Sequence, residues 1–276
     1  MPLNFDLGGK TYDRSTVTVT AEQIADYAAA SGDDNPRHTP GDDQIASPVF
    51  PVVYGSPGIS MVALDPELGV ENPLMIIHGE QRLVHHRPVR PGETLELTPS
   101  LESVEDKSRS AVFVAAVRAT TPDGEPVNDQ YSTIVVRGGG SGGERARSTS
   151  KASPDPGEPR ATFVRHVPTD MPSRYAAASG DHNPIHLDDA IATAVGLPGV
   201  INHGLGTLSL VVGGIVAEVL EGDAAGVRAV EARFTDLVIP GSDLTTSVWE
   251  SDGEGVDFET RRPDGAVVVT GRLGTS

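Results

Sequence analysis

An acid/base pair stands out in the second half of this chain. Asp181 and His186 lie five residues apart across an Asn-Pro turn. His203 follows, directly before Gly204, which opens a long apolar segment. A carboxylate and an imidazole held together can take a proton from one atom and return a proton to another, and a helix that starts at a glycine can stabilise a developing negative charge. The spacing therefore predicts acid/base chemistry on a carbonyl compound.

The turn between the two side chains explains their spacing. Pro184 has a fixed φ and Asn183 can close a local turn, so both functional side chains are held facing one point. Asn183 is also a candidate for positioning the substrate or one member of the pair. An isolated Asp-x-Asn-Pro motif is most often a turn that ends a helix, but the later His203-Gly204 helix start favours a functional interpretation.

A metal ion is not expected at this turn. His182 and His186 are four residues apart beside Asp181, but Pro184 lies between them and breaks the helix that would align them. The glycine-rich run at 138–143 lacks the strand-loop-helix context and the Lys-Ser/Thr pair of a phosphate loop. The sequence therefore predicts neither a metal nor a cofactor.

The chain contains an internal repeat. Residues 27–38 read YAAASGDDNPRH and residues 175–186 read YAAASGDHNPIH, so ten of the twelve positions are identical. Chance does not produce such a match, and the chain is therefore two copies of one plan.

A linker separates the copies. Residues 137–160 consist of Gly, Ser, Pro, Thr and charged residues, with Ala as the only apolar type. Such a segment cannot bury itself and is typical of a flexible linker. We therefore divide the chain into an N-terminal half at 1–136, the linker at 137–160 and a C-terminal half at 161–276.

Each half follows the same order of elements. A helix ends at Ser-Gly-Asp, a loop follows, and an apolar segment then begins after a glycine, at 55–63 and at 204–220; the second is apolar nearly all round, as buried helices are. Alternation with a period of two predicts strands at 74–85, 94–103, 111–118, 130–136, 227–239, 244–250, 256–261 and 266–272. One buried helix followed by an antiparallel meander predicts an α+β fold in which a sheet wraps around a helix, twice.

Composition excludes several classes of protein. Lys+Arg number 21 against 39 Asp+Glu, and the net charge of −18 argues against nucleic-acid and anionic-membrane binding. The absence of Cys excludes disulfides, thiolate catalysis and Cys-based metal sites. No apolar run is long enough to span a membrane and no N-terminal signal pattern is present. A cytoplasmic protein is expected.

The motifs together resemble a known family. Residues 179–186 (SGDHNPIH) and 196–204 (GLPGVINHG) resemble the MaoC-like (R)-specific enoyl-CoA hydratases, also called hydratase 2. The run His78-Gly79-Glu80-Gln81 and residues 87–92 (RPVRPG) of the first half fit this family as well. Two fused copies resemble its double-hot-dog members, which implies two antiparallel sheets, each wrapped around a central helix, joined by the linker.

The resemblance implies a lyase that hydrates trans-2-enoyl thioesters reversibly. By resemblance, Asp181 and His186 are the catalytic dyad that delivers water to C3 and a proton to C2. The N–H of Gly204 is expected to donate to the enolate oxygen. Asn183 and His203 are expected in the substrate-binding and oxyanion part of the same site.

The first half departs from the family pattern. Tyr54-Gly55 stands where the second half has His203-Gly204, and Pro57 lies in the first turn of that half's central helix. The resemblance therefore implies that the first half is an acyl-chain pocket and scaffold while the second half is catalytic. The retained Asp33 and His38 leave a second, weak site open.

The expected partner is an acyl thioester. For a CoA ester, the phosphates would need cations, and Arg174, Arg233, Arg261 and Arg262 are available. An acyl-carrier-protein dehydratase is the alternative, although the acidity of the chain disfavours docking to an acidic carrier. Because a double hot dog already contains the pairing that single hot dogs make between subunits, monomer and homodimer are both open.

Two further classes are disfavoured. A hot-dog thioesterase needs a carboxylate on the central helix, and the first turns after Gly204 carry none. A non-catalytic acyl-thioester-binding protein would be expected to lack Asp181 or His186, and both are present.

Overall fold

Two five-stranded halves build the sheet of this protein in its computed structural model, which describes residues 2–72, 75–142 and 157–276. The first half contributes β1 (Ser15–Thr18), β2 (Ile76–His85), β3 (Thr94–Asp106), β4 (Ser110–Thr120) and β5 (Pro126–Arg137). The second half contributes β6 (Ala161–His166), β7 (Val227–Phe234), β8 (Asp243–Glu250), β9 (Gly255–Arg261) and β10 (Val267–Thr275). The strand order is β1-β3-β4-β5-β2-β7-β10-β9-β8-β6.

The halves join edge to edge where β2 pairs with β7. Residues 80–84 lie opposite residues 229–233 in antiparallel register, and the order of strands outward from this seam is the same on both sides. The repeat in the sequence is thus visible as a twofold arrangement. Because this pairing leaves neither central strand with an exposed edge, the two sheets expected from the sequence are the halves of one continuous sheet.

Five α-helices accompany the sheet in the described residues: α1 (Ala21–Ser31), α2 (Pro51–Ala63), α3 (Met171–Ser179), α4 (Asp189–Ala194) and α5 (Gly204–Glu218). Thr20 and Gln23 form a reciprocal capping box at the start of α1. α1 and α3 end at Gly32 and Gly180, whose φ angles of 71° and 77° are left-handed. Glycine adopts this conformation without strain, so the chain turns sharply into the loop that follows each helix.

The central helix of the second half is buried, as its apolar pattern predicts. All residues from 206 to 216 of α5 are buried. A Cβ at Gly214 would overlap the ring of Phe163, so glycine allows the helix to lie directly against β6. One core cluster contains Tyr27 of the first half and Tyr175 of the second, and the two halves therefore share a core.

The central helix of the first half begins earlier than the sequence predicts. α2 starts at Pro51 and not after Gly55, because proline is favoured in the first turn of a helix. Gly55 therefore lies in the second turn, where its N–H faces the carbonyl of Pro51 within the helix. The amide of Gln130, which donates to the Pro51 carbonyl at 2.7 Å, fills the space beside Gly55.

Part of the expected linker can be placed. β5 ends at Arg137 and β6 begins at Ala161, while residues 143–156 of the linker lie outside the described residues. Among the helices that are described, none combines the length and the apolar character needed to cross a bilayer.

Candidate active site

The turn from Asp181 to His186 has the local structure that its residues favour. The Asp181 Oδ1 accepts from the N–H of Asn183 at 3.1 Å, and the Asn183 side chain accepts from the N–H of Ile185 at 3.4 Å. The chain then makes a 3₁₀ turn over Pro184–His186. Asn183 thus caps the turn and lies at the surface next to the exposed His182.

His186 is buried and its orientation is defined. Its Nδ1 lies 2.9 Å from the carbonyl oxygen of Ile201. A carbonyl can only accept, so in the neutral ring the proton is on Nδ1 and Nε2 keeps its lone pair. Burial lowers the pKa of His186, although the Ile201 carbonyl and the Asp181 carboxylate act in the opposite direction. The ring is therefore a neutral base at pH 7.

His203 contacts both members of the pair. Its Nε2 lies 3.0 Å from the backbone oxygen of Asp181, and its ring stacks on His186 with centroids 3.8 Å apart and an interplanar angle of 29°. Burial, and next the nearby His186, lower the pKa of His203 to about 4. The neutral ring donates from Nε2, so one residue links the Asp181 backbone to the His186 ring.

The structure brings Asp181, His186 and His203 to one place. One carboxylate oxygen of Asp181 and one ring nitrogen of each histidine lie within 4.8 Å of one another. A water molecule about 2.8 Å from each partner can bridge such a distance by hydrogen bonds. The half-buried Asp181 carboxylate and the buried His186 can therefore hold a single water between them.

Gly204 lies at the first position of α5, directly after His203. The His203 side chain makes no capping hydrogen bond, so it leaves the first N–H groups of the helix to other acceptors. Gly204 is exposed, and the ring of Phe234 lies beside it, 3.4 Å from where a Cβ would be. The helix start therefore presents its N–H and dipole to solvent next to the Asp181–His186 pair.

The first half contributes a residue that the sequence analysis did not assign to the site. The His78 ring lies 5.1 Å from the Phe234 ring, and burial lowers its pKa while the nearby Asp181 carboxylate raises it. β2 has a bulge between His78 and Glu80, and a bulge re-aims the side chains beside it. In the sequence, the only signal that could have pointed to His78 was the His-Gly pair at the start of a strand.

The counterpart in the first half is closed. His38 Nε2 lies 3.3 Å from Asp33 Oδ2, and their side chains are 1% and 6% exposed. α5 lies against Asp33, since a Cβ at Gly213 would approach the Asp33 carboxyl carbon to 3.0 Å. Because Gly55 lies inside α2, its N–H is not at a helix start. The pair Asp33–His38 is therefore out of reach of a substrate.

Most of the arginines considered for phosphate binding have other partners. Arg174 pairs with Asp170 at 3.1 Å, and Arg262 pairs with Asp236 and Asp264 at 3.2 and 3.1 Å. Arg261 bonds the carboxylate of Glu259 at 2.7 Å. Arg233 lines an open groove of about 650 Å³ that Tyr131 and Arg272 also line.

Comparisons with known proteins agree with this geometry. Residues 150–271 match the MaoC-like domain, and residues 6–130 match the FAS1-like dehydratase domain region. The chain is 31% identical over 244 residues to enoyl-CoA hydratase ChsH3 of Mycobacterium tuberculosis, covering 87% of this chain and 81% of that protein. It is 33% identical over 233 residues to 3-hydroxyacyl-thioester dehydratase Y of the same organism, covering 80% and 76%.

A solved structure shares the fold. The MaoC-like dehydratase of Phytophthora capsici superposes with a TM-score of 0.83 at 24% identity, covering 99% of this chain and 98% of that one. Fold and site together thus define a double-hot-dog protein. The chain belongs to the MaoC-like family of enoyl-CoA hydratases and 3-hydroxyacyl-thioester dehydratases. It is accordingly an enzyme, a hydro-lyase.

Proposed function

We propose that this enzyme is an (R)-specific 2-enoyl-CoA hydratase, which also runs backwards as a 3-hydroxyacyl-thioester dehydratase. The observation that carries the proposal is the cluster of Asp181, His186 and His203, within 4.8 Å, directly beside the exposed start of α5 at Gly204. Hydration needs a held water, a base and an oxyanion donor, and this cluster supplies all three.

The proposed reaction follows from the free atoms of the site. Asp181 and His186 hold a water, and His186 Nε2 takes one proton as the oxygen bonds to C3 of the enoyl thioester. The electron pair of the double bond moves through C2 onto the thioester oxygen. That oxyanion accepts from the Gly204 N–H at the positive end of α5. A proton from the dyad then returns to C2, so the dyad gains no net proton.

The two halves have different parts in this proposal. The C-terminal half at 161–276 would carry the dyad and the oxyanion donor. The N-terminal half at 1–136 would supply the acyl-chain pocket and scaffold, which is supported by the position of His78 against Phe234 and by the closed Asp33–His38 pair. In this arrangement Asn183 shapes the turn, and His203 holds the dyad.

A dehydratase that acts on acyl-carrier-protein thioesters is the second candidate. One relative of this chain is named for an enoyl-CoA and the other for a 3-hydroxyacyl thioester in general. The net charge of −18 repels an acidic carrier protein, which favours CoA. Rates measured with the same acyl group on CoA and on carrier protein separate the two candidates.

The first test is hydration of crotonyl-CoA and longer trans-2-enoyl-CoAs, measured as the loss of enoyl absorbance. Asp181→Asn and His186→Ala should each lower kcat by about 100-fold or more, and the product should be the (R)-3-hydroxyacyl thioester. His182→Ala is the matched control, since His182 is exposed beside the dyad, and it should keep wild-type activity. An (S) product, or full activity in either dyad variant, would refute the proposal.

A further inference from the structure

A column of four buried rings runs from His186 into the first half. After the stacked pair of His186 and His203, the Tyr175 ring lies 4.9 Å from the His203 ring at an interplanar angle of 45°. The Tyr27 ring lies 5.6 Å from that of Tyr175 at 56°. Tyr27 and Tyr175 are 0% and 1% exposed. They are the same position of the two sequence repeats, and they meet where the halves meet.

A chain of hydroxyl groups fixes the far end of this column. Ser209 donates its only hydroxyl proton to the carbonyl of Leu205 at 2.8 Å. The Tyr27 hydroxyl lies 2.6 Å from the Ser209 oxygen and 3.5 Å from the Val49 carbonyl, so it donates to Ser209 over the shorter contact. The Tyr175 hydroxyl, 3.3 Å from that of Tyr27, is then the donor to Tyr27. The chain ends in the first turn of α5, next to Gly204.

Tyr175 has little freedom to move. A Cβ at Gly206, in the first turn of α5, would lie 3.2 Å from the Tyr175 ring, so this ring already lies against the helix backbone. Tyr27 covers it on the side of the first half. Removal of the Tyr27 ring would leave a cavity into which Tyr175, and then His203, could shift.

We propose that Tyr27 of the first half is a positioning residue for the dyad of the second half. It acts through Tyr175, which supports the ring of His203, and His203 in turn holds the His186 ring and the Asp181 backbone. The inference rests on the proposed hydratase function, since it assigns Tyr27 a part in orienting that dyad. It also gives the first half a role that needs no second active site.

The test compares removal of the ring with removal of the hydroxyl. Tyr27→Leu should lower kcat by about 10- to 100-fold, the cost of a displacement of about 1 Å at a reacting group. KM should change by less than about 3-fold, because the substrate-binding surface is untouched. Tyr27→Phe keeps the ring and should retain kcat within about 3-fold of wild type. An equal loss in both variants would overturn the role of the ring.

Tyr54→Leu is the matched control for lost packing. Tyr54 is buried, and its ring contacts Phe50 at 6.1 Å, while Phe50 lies between it and Tyr27. Both Leu variants delete a buried tyrosine ring, so Tm should fall in both, but kcat should fall only in Tyr27→Leu. Equal kcat in the two variants would overturn the proposal. If Tyr27→Leu does not fold, Tyr27→Met takes its place with the same expected loss of kcat.

A spectroscopic readout separates this inference from the hydratase proposal. The ring proton signals of His186 and His203 should shift in Tyr27→Leu and stay in place in Tyr54→Leu. Unshifted signals in Tyr27→Leu would overturn the positioning role whatever the substrate. Shifted signals in Tyr27→Leu, together with a wild-type protein that hydrates no enoyl thioester, would instead refute the hydratase function and leave the ring contacts established.

Discussion

The same Asp-x-Asn-Pro-x-His turn occurs twice with the same internal bonds and different surroundings. His38 and His186 each place Nδ1 2.9 Å from a carbonyl oxygen, of Ile45 and Ile201 respectively. In the first copy the free Nε2 faces Asp33 under α5. In the second copy the carboxylate is half-buried and water can enter. The chemistry of the two histidines is therefore decided by what covers them.

This difference predicts opposite effects for the same substitution in the two copies. His38→Ala should lower the free energy of unfolding by about 3 kcal/mol, because it leaves the Asp33 carboxyl buried without its partner, and should keep kcat. His186→Ala should lower kcat by about 100-fold or more with a small change in stability. Urea unfolding and turnover of both variants check this. Loss of turnover in a folded His38→Ala would mean that the first copy takes part in the reaction.

At the scale of elements, the two central helices differ in where they start. α5 starts at Gly204, whereas α2 starts four residues before the corresponding Gly55. This shift moves the glycine N–H from the helix start into the helix interior, where it is not free to bind an anion. The sequence analysis did not predict the strands β1 and β6. They are short edge strands, and four to six residues give too little alternation to predict them.

The helix start allows a test of the N–H itself. Gly204→Pro removes this donor at the first helical position, where proline is favoured. The preceding His203 has φ −60° and ψ 135°, which is compatible with a following proline. Tm should change little, and kcat should fall about 100- to 1000-fold, as for loss of an oxyanion donor.

The control for this variant is Gly204→Ala, which adds a methyl group and keeps the N–H. It should lose much less activity than Gly204→Pro when both are assayed with crotonyl-CoA. Similar kcat values in the two variants would show that the Gly204 N–H does not stabilise the oxyanion.

At the scale of the whole molecule, the halves behave as one body with a shared interior. The β2–β7 seam makes the sheet continuous, and the core cluster joins residues of both copies. This interior holds several neutral histidines. Burial lowers the pKa of His85 and of His203 to about 4, and it lowers the pKa of His78 and His186 as well.

These histidines predict that the protein loses stability in mild acid. A histidine whose pKa is lower in the folded than in the unfolded state makes the unfolded chain bind more protons as the pH falls. Stability is therefore lost as the pH drops below about 6.5, and His85 and His203 should each cost about 2 kcal/mol by pH 5. The less negative net charge at lower pH reduces charge repulsion and opposes this loss, but about 0.15 M salt screens that repulsion.

Urea unfolding at pH 7 and pH 5 measures this effect. The midpoint should be clearly lower at pH 5, and one cooperative transition should be seen at both values because the halves share a core. A midpoint that stays constant or rises between pH 7 and pH 5 would mean that the buried histidines do not set the acid stability.

The sequence by itself determined the local parts of this protein. The repeat, the order of helix, loop, central helix and meander, the turn between Asp181 and His186, and the helix start at Gly204 all follow from residues close together in the chain. Caps, turns and amphipathic periods depend on such neighbours, and the double-hot-dog prediction is confirmed. The assignment of the site residues stays a prediction.

Only the tertiary structure decided how the surroundings of the two copies differ. Three contacts depend on packing between distant segments: α5 against Asp33, His78 against Phe234, and Tyr27 against Tyr175 across 148 residues of chain. No local pattern encodes such contacts, because each copy carries nearly the same motif. Joined in one chain, the two copies share one core. In that core the Asp33–His38 pair is covered, whereas the Asp181–His186 pair stays accessible.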